Sequence, residues 1–258
     1  MMTTPIVQIN NLSKIFHTLK EETLAVKNFS LKVDEGEFVV LVGPSGCGKS
    51  TILSALAGLI KPSEGEIIYN PTKVINERPS MGYMLQQDHL FQWRTIFQNV
   101  ILGLEIQNKK TKENIEKTEK LLEIYGLGDF KDHYPNQLSG GMRQRAALIR
   151  TLAVDPEILL LDEPFSALDY QTRLAVSDDI GSIIKKEKRT AIMVTHDIAE
   201  AISMADRVVV LSKRPGTVKN IHKIDLCCSK QTPIIRREAP EFREYFNEIW
   251  KELDVHVS

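Results

Sequence analysis

Phe38-Val39-Val40-Leu41-Val42-Gly43-Pro44-Ser45-Gly46-Cys47-Gly48-Lys49-Ser50-Thr51 decides the reading of this chain. Its first five residues form an unbroken apolar run of strand length, as expected of a strand buried on both faces. The next eight fit G-x-x-x-x-G-K-[ST]. Residues 49–59 read as a helix, so the motif stands between a strand and a helix, as a phosphate-binding loop requires. Glycines let the backbone approach phosphate oxygens with its N–H groups turned inward, and the helix N-terminus adds a favourable dipole. Lys49 would then reach the β- and γ-phosphates, and the Ser50 hydroxyl would coordinate Mg2+. The competing reading, a structural glycine turn, is opposed by the strand and helix on either side. Cys47 lies beside Lys49 at the helix start, where a thiolate is favoured. The chemistry does not need its thiol, which is expected to be easily alkylated when nucleotide is absent.

Outward from this loop, residues 7–16 and 24–33 partly alternate apolar with polar side chains, and Glu35-Gly36 supplies a turn, so two antiparallel strands are expected upstream. Pro62-Ser63-Glu64-Gly65 reads as a turn behind the first helix. Three further buried strands are expected at 158–161, 191–194 and 208–211, with helix-compatible segments before or between them, which argues for a largely parallel sheet. Strand signals vanish between 94 and 153, and 111–125 is amphipathic with Ile115, Leu122 and Tyr125 on one face, so a helical insertion is expected. Near the end, Phe242, Tyr245, Phe246, Ile249, Trp250 and Leu253 recur at helical spacing with Pro240 near the start. This aromatic face suits packing on its own domain better than a bare partner patch.

Two strands should deliver chemistry to the loop. The strand at 158–161 carries Asp162 and Glu163 to its C-terminal edge, where α/β sheets place ligands. Asp162 would hold Mg2+ through water, and Glu163 would polarise the attacking water as general base. A solvated acidic turn is the alternative, weakened by the matched phosphate loop. Pro164 ends the strand. The strand at 191–194 ends in Thr195-His196-Asp197 on the same side, which brings His196 towards the γ-phosphate, with a satisfied structural histidine as the alternative.

Composition removes other classes. The 258 residues are 42% hydrophobic with a net charge of −1, enough for a sizeable core and without the basic surplus that nucleic acid demands. Cys47, Cys227 and Cys228 offer neither an even disulfide framework nor a C-x-x-C metal spacing, which points to a reducing cytosol. No apolar run approaches the ~20 residues that span a bilayer, and the first ten residues lack a signal pattern, so a membrane role is expected only through a partner.

Leu138-Ser139-Gly140-Gly141 adds the decisive context. Before the helix-compatible stretch 142–152, it makes an exposed helix N-terminus with a hydroxyl and approachable amides, an anion site with no phosphate of its own. The three motifs, in this order, resemble the ATP-binding-cassette ATPases that drive ABC transporters, over about 16–216 of the chain. That resemblance implies a P-loop ABC-ATPase fold: a mainly parallel core (about 1–93 and 154–225), an N-terminal antiparallel β-subdomain, a helical signature subdomain (about 94–153) and a C-terminal helical extension (226–258). It also implies that Ser139, Gly140 and Gly141 bind the γ-phosphate of ATP held by the second subunit's loop, so that the working unit is a head-to-tail dimer. Phe16 resembles the aromatic that stacks on adenine, with a core strand phenylalanine as the alternative. Gln86 matches the glutamine that touches Mg2+ and water, with Gln87 competing. Ser166-Ala167-Leu168-Asp169 resembles the loop crossing the dimer interface, and His196 the switch histidine. Met142 stands where the family usually has glutamine; the anion contacts come from Ser139 and backbone amides, so activity should survive.

Leu90-Phe91-Gln92-Trp93-Arg94-Thr95, Met142-Arg143-Gln144-Arg145 and Ser212-Lys213-Arg214-Pro215-Gly216 resemble the nitrate, sulfonate and taurine importer branch, although Gln92 stands where that branch often has proline. Trp93 is read either as core or as lining a groove for a short helix of the membrane subunit. The resemblance implies ATP and Mg2+ as ligands, a second cassette subunit, permease subunits and, indirectly, a solute-binding protein as partners, and a place on the cytoplasmic face of the membrane. An exporter ATPase, or a soluble cassette of iron–sulfur cluster assembly, remains an open alternative.

Overall fold

A computed structural model describes residues 5–17, 21–71, 78–166, 168–229 and 232–253. In chain order it contains β1 (Pro5–His17), β2 (Glu22–Asp34), β3 (Phe38–Val42), α1 (Lys49–Leu56), β4 (Glu64–Tyr69), β5 (Met81–Met84), α2 (Ile96–Val100), α3 (Leu102–Ile106) and α4 (Lys112–Ile124). These are followed by α5 (Gly140–Leu152), β6 (Ile158–Asp162), α6 (Tyr170–Lys186), β7 (Thr190–Thr195), α7 (Ile198–Met204), β8 (Arg207–Leu211), β9 (Val218–Lys223), α8 (Pro233–Arg236) and α9 (Phe242–Glu252). The chain divides into two compact units, one built from residues up to Pro79 and from Ile180 onward, the other from Ser80–Asp179.

In the first unit, β1 and β2 pair antiparallel as expected, with Ile9 opposite Leu31 and Leu12 opposite Phe29. Alternation turns Val7, Ile9 and Leu12 inward with Val26, Phe29, Leu31 and Val33, all buried. On the other side of β1 lies β4, Val7 opposite Tyr69. That strand corrects the turn expected at 62–65: Glu64 already pairs with Ser13, and Gly65 lies within the strand. Its exposed Glu64-Gly65-Glu66 start shows no apolar alternation, because an edge strand in a small sheet is organised by its partner's backbone and not by burial of its own side chains.

β3 is wholly buried, as its apolar run predicts. Each such side chain contributes about 1.5–3 kcal/mol of burial free energy. It pairs in parallel with β7 and β8, Val42 lying opposite both Thr195 and Val210. The antiparallel β9 extends this sheet beyond β8. Its sequence, Val-Lys-Asn-Ile-His-Lys, is too polar to read as a strand by alternation. α1 ends at Leu56, short of the expected Leu59, because Leu59 N–H reaches back five residues to the Ser54 carbonyl and closes the helix in a wide turn. α9 follows the aromatic spacing: Ile249 is fully buried and α7 packs against the helix, while Trp250 leaves its ring half-exposed.

In the second unit, β5 pairs in parallel with β6. β5 is a strand of four residues, too short for a periodic signal. The expected helical insertion is present as α2 to α5. Thr95 and Thr111 cap α2 and α4 with their side-chain oxygens. Leu122 and Tyr125 are buried, and α5 buries Ala146, Ala147, Leu148, Ile149 and Leu152. No helix among the described residues is long and apolar enough to cross a membrane.

Candidate active site

In the first unit, the phosphate-type loop and His196 leave one edge of the sheet from neighbouring strands, because Val42 and Thr195 are paired. Lys49 is only 6% exposed, and its Nζ donates to the carbonyls of Gly43 (2.8 Å) and Pro44 (3.1 Å), which holds the ammonium over its own loop. The exposed His196 sits on a turn fixed by its neighbours. Thr195 Oγ1 donates to Glu200 Oε2 (2.8 Å) and accepts from Asp197 N–H (3.1 Å), and Asp197 caps α7.

Two glycines, Gly48 within the loop and Gly216 outside it, let neighbouring backbone press on the loop. Gly48 has φ 105, and a β-carbon there would meet Val26 Cγ2 at 2.7 Å and the Ala25 carbonyl at 2.8 Å. Gly216 N–H donates to the Ala25 carbonyl (2.9 Å) and its own carbonyl accepts from Lys27 N–H (3.0 Å), while a β-carbon would run into the Cys47 carbonyl. Only a residue without a side chain lets β2 and the Gly216 turn press against the loop. The sequence reading used Gly216 as a marker of a branch and missed this role; the Pro215-Gly216 pair directly after a buried strand was the available signal.

Cys47 requires a correction. It is 1% exposed, so closely packed on Gly43 that a β-carbon there would lie 2.8 Å from its Sγ. Burial pushes its thiol pKa up, only partly opposed by the charge of Lys49. The easily alkylated thiol expected from its place beside Lys49 is therefore overturned: desolvation outweighs the nearby cation. Phe16, on β1, leaves its ring 39% exposed with Lys14 Nζ 5.3 Å from its centroid, which removes the core-phenylalanine alternative.

In the second unit, the pairing of Met84 with Leu161 sends Gln86 and Asp162-Glu163 off the same strand edge. Gln86 Nε2 donates to Glu163 Oε2 at 3.2 Å, and this bond is made by Gln86 rather than its neighbour Gln87. Asp162 is 6% exposed and accepts from Tyr83 Oη at 3.4 Å. Glu163 has φ 45, a left-handed backbone for a residue with a side chain, held by Ser166, whose N–H and Oγ both donate to the Glu163 carbonyl (3.2 and 3.0 Å). Such strain concentrates at functional positions.

Ser139 is exposed at the N-cap of α5, where its Oγ accepts from Met142 N–H at 3.3 Å; Gly140 and Gly141 begin the helix. Asp169 stands before α6, where the Thr172 hydroxyl and then the Thr172 N–H, at 3.1 Å, hold its carboxyl below the usual range. Ala167 of the same segment lies outside the described residues. Trp93 is 73% exposed and stacks on Phe91 with centroids 4.8 Å apart, which overturns its reading as core.

The candidate cation ligands supply oxygen, the kind of donor that Mg2+ takes: in the first unit the Ser50 hydroxyl, and in the second the Asp162 carboxylate and the Gln86 amide. Among the described residues no three His, Cys, Asp or Glu side chains gather into a metal-holding group.

A family model described as ABC transporter matches residues 26–166. The chain is 44% identical over 248 residues to an uncharacterized ABC transporter ATP-binding protein, YtlC, of Bacillus subtilis, covering 96% of this chain and 95% of the relative. It is 40% identical over 247 residues to the nitrate import ATP-binding protein NrtD of Synechocystis, covering 94% and 93%. Among solved structures, the ATP-binding cassette MJ0796, dimeric in a post-hydrolysis state with ADP and Pi, matches with a TM-score of 0.73 at 34% identity, over 85% of this chain and 99% of that one.

Proposed function

The chain belongs to the ATP-binding proteins of ABC transporters, ATPases whose hydrolysis is coupled to transport, and from that premise we propose that it energises import of a small solute of the nitrate, sulfonate or taurine type. The observation that carries the catalytic reading is the bond between Gln86 and Glu163 at the edge that also presents Asp162. The importer branch is supported by the segments around Trp93, Arg143 and Pro215 and by the likeness to a nitrate import protein.

In this reading Phe16 stacks on adenine, and the amides of residues 43–51 with Lys49 hold the β- and γ-phosphates. Ser50, Asp162 and Gln86 hold Mg2+, which when bound neutralises phosphate charge. Glu163 accepts the proton of the attacking water, Gln86 fixes the Glu163 carboxylate, and His196 donates to the γ-phosphate. Ser139, Gly140, Gly141 and Asp169 serve the nucleotide of a second copy, making the working unit an ATP-dependent homodimer. Residues 94–153 act as the signature subdomain and 226–258 as an appended helical segment. The exposed Phe91–Trp93 stack meets a helix of the permease, which keeps the protein on the cytoplasmic face of the membrane.

The test is reconstitution with the permease in nanodiscs. ATP turnover should rise when a solute-binding protein loaded with nitrate, taurine or an alkanesulfonate is added. Turnover that ignores every such loaded protein, with the Lys49→Ala control inactive, would overturn the importer assignment and leave the ATPase intact.

A further inference from the structure

Within the second unit, polar side chains of α5 bond the segment carrying Gln86. Arg143 Nε donates to Asp88 Oδ2 at 3.0 Å, and Gln144 Nε2, on a side chain buried to 4% exposure, donates to the Gln86 carbonyl at 3.2 Å. Arg150 donates to the carbonyls of Asp88 (2.6 Å) and His89 (2.8 Å). Arg143 also turns back to the helix start, its Nη1 donating to the Leu138 carbonyl at 2.8 Å. One guanidinium therefore bonds both the residue preceding Ser139 and the segment preceding Leu90. From there the connection is short, because Gln86 itself bonds Glu163.

We propose that Arg143 and Asp88 form a positioning clamp, through which occupancy of the Ser139 end of α5 sets Gln86 and, through Gln86, Glu163 of the same chain. The proposal rests on the reading above, in which that helix end receives the second subunit's ATP. Arg143 is one turn into α5, so a shift of the helix start on meeting a γ-phosphate carries the Leu138 carbonyl and the guanidinium together. The charge-assisted bond passes this to Asp88, two residues from Gln86. Gln144 and Arg150 keep the intervening backbone from absorbing the shift, since each grips a carbonyl of the same four-residue stretch. The clamp makes each active site sensitive to the nucleotide bound by the opposite subunit without any movement of the phosphate loop. Arg143 acts through its bonds to Asp88 and the Leu138 carbonyl, so it is a positioning residue.

The experiment is a double-mutant cycle on the full chain with Arg143→Met, Asp88→Asn and the pair, read as ATP turnover at saturating ATP and as affinity for a fluorescent ATP analogue. Each single variant should lose about tenfold in kcat with nucleotide affinity unchanged, and the pair should be no worse than either alone. Arg143→Lys, which retains the charge, should recover part of the loss. In a Glu163→Gln background, Arg143→Met should still dimerise with ATP, because the Ser139 end is intact. Additive losses, unchanged kcat or loss of that dimer would overturn the clamp. If Arg143→Met binds no nucleotide through misfolding, the milder Asp88→Asn decides by its kcat alone. A Glu163→Gln control that hydrolyses ATP like the parent chain sinks the catalytic reading itself; an inactive control beside fully active clamp variants sinks only the clamp.

Discussion

Gln86 Nε2 and Glu163 Oε2 lie 3.2 Å apart, although 77 residues separate them in sequence. The contact follows from the parallel pairing of β5 and β6, whose C-terminal ends release both residues from one edge. An amide donating to the Glu163 carboxylate fixes its orientation, as a general base requires.

Glu163→Gln keeps the size of the side chain and removes its basicity. ATP turnover should fall by about 100-fold or more while ATP affinity persists. Wild-type turnover in this variant would refute the general-base assignment. In size-exclusion chromatography with ATP the variant should run as a dimer, and without nucleotide as a monomer.

Ser139→Arg places a long cation at an exposed helix start that now carries a capping hydroxyl. Loss of the cap costs about 1 kcal/mol, too little to unfold the protein. ATP binding by calorimetry should be retained, and the ATP-dependent dimer in the Glu163→Gln background should disappear. Calorimetric loss of ATP binding would contradict a role towards the second subunit.

Cys47 should resist maleimide in the native protein, with or without ATP, and react on denaturation. The exposed Cys227 and the part-buried Cys228 are first replaced by serine so that they do not report. Rapid native labelling would show that the thiol is not held against Gly43.

Gly216→Ala forces a β-carbon against the Cys47 carbonyl. The expected cost is about 1–3 kcal/mol of stability, with weakened nucleotide affinity as the loop is pushed out of shape. A melting temperature and ATP affinity equal to the parent's would mean the Gly216 turn does not brace the loop.

Lys185, on α6, has its pKa lowered to about 8, chiefly by burial and next by the charge of Arg236, with Asp206 opposing. The folded pKa is below the unfolded one, so between about 8 and 10.4 the unfolded chain binds more protons and stability rises with pH through that window. Below it, the half-buried ammonium is a standing cost. Lys185→Met should therefore stabilise by about 1 kcal/mol at pH 7, after discounting for partial exposure, and the gain should shrink towards pH 10 in urea melts. A gain independent of pH would assign the effect to packing.

Features governed by local chemistry were legible in the chain itself. The apolar run 38–42, the glycine loop, the capped amphipathic helices and the order of Gly43–Thr51, Ser139-Gly140-Gly141 and Asp162-Glu163 depend on periodicity and on groups a few residues apart. Tertiary structure decided what depends on partners distant in sequence. β4 and β9 are strands because neighbouring backbones offer hydrogen bonds, not because their own side chains alternate. Cys47 is shielded because Gly43 and the Gly216 turn enclose it, and desolvation then outweighs the cation two residues away. Trp93 is exposed and Ile249 buried, although both are large and apolar, because only the packed elements determine which face is covered. The clamp from Arg143 to Asp88 joins residues 55 positions apart through a carboxylate and a guanidinium that, read singly, look like ordinary surface charges.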